Sequence, residues 1–105
     1  LVRLRVLVVQ TSCIVNNTRI INLVNSSLEK LNIFDADVFE INYFDVINWD
    51  SNFSIVISPA PVNIELNSQV LIIPTAYAGL MSQEEFDAKF RESIKNIVSV
   101  SRLDS

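Results

Sequence analysis

A chain of 105 residues, half of them apolar and 19% charged, holds material for one compact core and too little for two. Twelve acids against eight bases give a net charge of -4, and the bases (Arg3, Arg5, Arg19, Lys30, Lys89, Arg91, Lys95, Arg102) are scattered, which disfavours nucleic-acid binding by this domain alone. One cysteine and no histidine exclude an internal disulfide and most zinc sites; no cofactor or metal is expected, and the compartment reads as reducing.

In chain order, residues 4–9 form a nearly continuous apolar, β-branched run, the mark of a strand covered on both faces and therefore of a central parallel strand. From Asn17 the spacing becomes helical, with Ile20, Ile21, Val24, Leu28 and Leu31 on one side, Asn22, Ser26, Glu29 and Lys30 on the other, and Asn16 or Asn17 as N-cap. A turn at 32–35 leads to "ADVFEIN", a second strand nearer the sheet edge. "YFDVINWD" reads as a short helix burying Tyr43, Val46, Ile47 and Trp49. "FSIVIS", residues 53–58, is a third strand, stopped by Pro59 and Pro61, which cannot donate to a ladder.

A fourth strand follows at 70–73, closed by Pro74. The ten residues 59–68 are too few for a full crossover helix, so an extended or one-turn link is expected. "SQEE", residues 82–85, is a capping box that opens a last helix burying Phe86, Phe90, Ile94 and Ile97 and running to about Ser99. The reading is one α/β domain over 1–100 with a frayed tail at 101–105: a three-layer sandwich on a four-stranded, mainly parallel sheet of order 2-1-3-4. Ligands of such sheets bind beyond the carboxyl ends of the strands, which singles out the loops 10–18 and 74–81. In the second, Tyr77, Leu80 and Met81 are residue types enriched where proteins meet and form a candidate interface, with packing over the sheet end as the alternative.

No apolar run nears the ~20 residues that span a bilayer, and no signal peptide opens the chain, so a soluble, cytoplasmic domain without membrane contact is expected. The Asn-x-Ser/Thr triplets at Asn16, Asn25 and Asn52 then carry no modification. The chain opens on Leu1 and its one methionine is Met81, so a piece of a longer polypeptide is expected.

The first loop carries two chemical readings. Cys13 and Arg19, with five residues between them, match the spacing of the phosphate loop of protein tyrosine phosphatases. That loop turns its amides inward, which calls for glycine at positive φ and a thiolate at the strand end. The only glycine here is Gly79, and Cys13 lies past the apolar strand.

The same stretch, "RVLVVQTSCIVNNTR", resembles the start of the enzyme IIB components of the bacterial sugar phosphotransferase system, especially the galactitol type, where a cysteine directly after strand one carries phosphate. The ungapped overlay puts Gln10 on the phosphocysteine, Thr11 and Cys13 on the glycine positions with Ser12 between them, and Asn16, Asn17 and Thr18 on the Thr-Ser-Thr that opens the helix. "FSIVISPAPVNIELNSQVLIIPTAYAGLMSQEEFDAKFRESI" continues the resemblance, looking like the IIB-like domains fused at the C-terminus of Mga-like and anthrax-toxin-activator-like virulence regulators.

A carboxamide is no nucleophile, so the resemblance implies a non-catalytic regulatory domain that serves in oligomerisation or signal transmission. It further implies a homo-oligomer through this domain, DNA bound only by other domains of the parent chain, and phosphotransferase system proteins as partners. The alternative it leaves is an active phosphocarrier using Cys13, with Arg19 and the amides of residues 16–18 steadying the phosphate.

Overall fold

The computed structural model describes residues 4–10 and 18–103. Strand β1, Arg5–Val9, has Val6, Leu7, Val8 and Val9 all buried, so both of its faces are covered. Strand β3, Ser54–Ser58, is buried along its whole length for the same reason. These two lie side by side at the centre, and β2, Asp37–Ile41, and β4, Gln69–Ile72, form the edges. The order β2-β1-β3-β4, all parallel, is the one the hydrophobic patterns imply.

Helix α1, Thr18–Lys30, buries Ile20, Val24 and Leu28, three residues at i, i+4 and i+8 on one face. It ends in a Schellman motif: Asn32 takes φ 58°, its N–H donates to Glu29 O at 3.1 Å, and Ile33 N–H reaches Leu28 O at 2.9 Å. Asparagine tolerates this left-handed position better than other side chains, and Ile33 packs on the core that contains Leu28.

Helix α4, Gln83–Leu103, starts as the capping box predicts, with Glu85 N–H donating to Ser82 Oγ at 3.2 Å. Phe86 and Phe90 are fully buried and stack at 5.4 Å; Ile97 is buried and Ile94 half-buried. The helix continues to Leu103, past the end expected near Ser99. Together α1 and α4 cover Val6, Val8, Ile55 and Ile57.

A polar clamp joins the two helices. Asp87 accepts from Ser27 Oγ, from Lys30 Nζ at 2.7 Å and from Gln83 Nε2 at 2.8 Å, while Gln83 Nε2 also reaches Leu23 O at 3.0 Å. Burial pushes the Asp87 carboxyl up, but the hydrogen bonds from Lys30, Ser27 and Gln83 outweigh it and bring its pKa down to about 2.

The opposite face of the sheet, with Leu7, Val9, Val56 and Ile41, has a thinner cover. It consists of a 3-10 turn at Tyr43–Asp45, the four-residue helix α2 at Val46–Trp49, and the link 59–68, which has no helix. Val46 is buried and Tyr43 and Trp49 are half-buried as expected, but Ile47 is 50% exposed. Consecutive helical residues point about 100° apart, so a single turn cannot aim both Val46 and Ile47 at the sheet.

The link is held at its middle and at its C-terminal end. Tyr43 Oη accepts from Asn63 N–H at 3.1 Å, and Asp50 accepts from Asn67 N–H, Ser68 N–H at 2.8 Å and Ser68 Oγ at 2.6 Å. Burial raises the Asp50 carboxyl pKa, but the bonds from Asn67, Ser68 and Ser51 prevail and hold it below its ordinary value. Beyond β4, the segment expected as a loop opens with one helical turn, α3, Pro74–Tyr77, with proline in the first turn where its missing N–H costs nothing. Among the described residues no helix is long and apolar enough to cross a membrane.

Candidate functional site

With this strand order the direction of chain travel reverses between β1 and β3, so the crevice at their carboxyl ends is where an α/β sheet of this kind receives a ligand. Four elements converge there: the end of β1, the end of β2, the first turn of α1 and the α3–α4 connection.

Gln10 directly follows β1. Its backbone N–H donates to Ile41 O at 2.8 Å, continuing the β1–β2 ladder by one step, and its exposed side chain donates through Nε2 to Glu40 Oε2 at 3.2 Å. Glu40 reaches this position because it pairs in register with Val8, two residues before Gln10. Strand alternation then puts the two side chains on one face of the sheet. The residue directly after β1 is therefore an amide with a carboxylate beside it.

Tyr77 reaches into the crevice from α3. Its hydroxyl bridges the two central strands, lying 2.8 Å from Val9 O and 3.0 Å from Ile57 O. The hydroxyl has one proton to share between these carbonyls, of which Val9 O has no ladder donor because the next position along β3 is Pro59, which carries no N–H. Burial first, and the nearby Glu40 carboxylate second, push the phenol pKa well above its ordinary value, so Tyr77 stays neutral and a donor. Phenylalanine at position 77 keeps the ring and removes the bridge, and is expected to lower stability by about 1–3 kcal/mol. A urea midpoint equal to that of the parent would show that the bridge contributes nothing.

Thr18 opens α1, and Arg19 follows it, exposed. The Arg19 guanidinium lies across Gly79, where an added Cβ would run into it. Gly79 also has φ +79°, a conformation that L side chains rarely adopt, so the chain's one glycine meets two demands at once: the turn after α3 and the passage of Arg19.

Of the other residues singled out in the sequence, Thr11, Ser12, Cys13, Asn16 and Asn17 lie outside the described residues. In the second loop, Leu80 is 77% exposed, Met81 is half-buried against the main core, and Tyr77 is the half-buried bridge described above. The structure thus brings Gln10 to Glu40, Tyr77 to the ends of β1 and β3, and Arg19 to Gly79.

Glu40 and Gly79 were not legible as site residues. Glu40 lies in a different strand, and only the parallel register reveals its place; the scarcity of glycine was the one available signal for Gly79. Among the described residues no group of three or more cysteine, aspartate or glutamate side chains converges as metal ligands.

Compared with known protein families, with characterised proteins and with solved structures, the chain matches none.

Proposed function

We propose that this chain is a non-catalytic enzyme IIB-like regulatory domain of a bacterial transcription regulator, acting in the cytoplasm in oligomerisation or signal transmission. The observation that carries this reading is the side chain at the end of β1. Gln10 occupies the position at which a phosphocarrier of this type needs a nucleophile, and it hydrogen-bonds Glu40. A carboxamide does not attack phosphorus, and an adjoining carboxylate repels an incoming phosphoryl group. The doubly bonded Tyr77 hydroxyl supports the same reading, since it occupies the crevice between the central strands.

The parallel sheet of order β2-β1-β3-β4 agrees with the architecture that the resemblance implies, although that architecture is shared by proteins of many functions. DNA binding falls to other domains of the parent regulator in this proposal, in keeping with the net charge of -4.

Incubation with phosphorylated enzyme IIA followed by intact mass measurement tests the proposal. The expected spectrum shows unmodified chain only. Gain of one phosphoryl group, mapped to Cys13, would replace this reading with that of an active phosphocarrier.

A further inference from the structure

We propose that the free edge of β4 is a self-association surface, on which a second copy of this chain pairs its own β4 antiparallel across a two-fold axis through Leu71. The inference rests on the oligomerisation reading above and assigns it a surface.

Backbone direction provides the first argument. Ile73 N–H donates inward to Ser58 O at 2.9 Å, so by strand alternation Leu71 and Gln69 also face β3, while the N–H and C=O groups of Val70 and Ile72 point outward. Among the described residues no strand pairs with that side. With the axis at Leu71, Val70 of one copy stands opposite Ile72 of the other, twice. Each of those two pairs exchanges both of its backbone hydrogen bonds, so every outward group of these residues finds a partner.

The side chains fit the same register. Val70 and Ile72 lie on one face of the sheet, 39% and 43% exposed. The pairing brings the four of them into one cross-strand apolar cluster on the thinly covered face.

Charge selects the occupant. Between Glu65 and Glu84 the sequence has no charged side chain, although the whole chain has a net charge of -4. Like-charged copies repel over most of their surface, and the strand that pairs adds no charge of its own to the seam. The other edge strand, β2, carries Asp37 and Glu40, and charged side chains on an edge strand are a usual protection against edge pairing. β4 has neither a charge nor a proline of that kind. A four-residue seam is small against the ~1,600 Å² of a standard interface, so the dimer is concentration-dependent rather than obligate.

Sedimentation equilibrium over a range from about 10 μM to about 1 mM, spanning ~2.7 kcal/mol of association free energy, tests this. The average mass is expected to climb from 11.9 kDa towards twice that value and to stop there, because pairing consumes the edge. Ile72→Lys and, separately, Val70→Lys place cations on a partly exposed surface and are expected to abolish the rise. Phe44→Lys, at a site 84% exposed on the turn before α2, is expected to leave it unchanged.

Amide exchange in the unmodified chain gives a reading independent of folding in the variants: the Val70 and Ile72 N–H groups should slow as concentration increases. An unmodified chain that stays monomeric, or grows beyond two copies, overturns the proposal. A dimer that both lysine variants share with the parent, without concentration-dependent protection of these amides, overturns the β4 surface while leaving self-association standing. The phosphotransfer result decides the non-catalytic reading separately in every case.

Discussion

Alanine in place of Phe90 is expected to lower the unfolding free energy by about 3–5 kcal/mol. Phe90 is fully buried, stacks on Phe86 at 5.4 Å, and belongs to the core that α4 forms with α1 and the central strands. Truncation removes the apolar surface of a whole ring and leaves a cavity that a close-packed interior fills only in part. Domains of this size have some 5–15 kcal/mol to lose, so the change removes a large fraction of the total stability. Urea denaturation followed by far-ultraviolet circular dichroism measures the loss. A shift below about 1 kcal/mol would mean that the layer of α1 and α4 over the sheet is not the main core.

Asp87→Ala is the second large effect, about 2–4 kcal/mol at pH 7, because it leaves Ser27 and Gln83 without their shared acceptor between the packed helices. Lys30 contributes little of this, since its side chain is 56% exposed and solvent screens the pair.

The pH dependence has a definite sign. The folded carboxyl titrates at about 2 against an ordinary value of 3.8, so the fold favours the carboxylate. The stabilisation is complete above the ordinary value and disappears as pH falls through the folded one. Parent and Asp87→Ala curves should therefore lie far apart at pH 7 and converge towards pH 2. Curves that stay parallel across that range would show that the clamp does not depend on ionised Asp87.

The sheet was legible because its strands differ in kind. The unbroken apolar runs of Val6 to Val9 and Ile55 to Ile57 announce strands covered on both faces, whereas the Glu40 interruption marks an edge. The capping box located the start of α4, since Ser82 and Glu85 act within one turn and need no tertiary partner.

What was not legible depends on pairs distant in the chain. The bonds from Gln10 to Glu40, from Tyr77 to Val9 and Ile57, and from Asp87 to Ser27 span 20 to 68 residues, and no local pattern foretells them. Ile47 was misread for the opposite reason. Apolar spacing alone suggested a buried position, but α2 is a single turn and has only one direction to offer the sheet.

No two strands in this sheet are joined by a hairpin: Arg5 pairs with Asp37 and with Ser54, and Ile55 with Gln69. During synthesis, the earliest strand must wait for some fifty further residues before its second neighbour has left the ribosome, and longer still before Phe86 and Phe90 arrive to shield it. At ~5–20 residues per second that interval lasts several seconds. Throughout it, a sticky apolar ribbon is held in the open, so the yield of correctly assembled molecules in a cell should depend on chaperone supply more strongly than the stability of the finished domain would suggest.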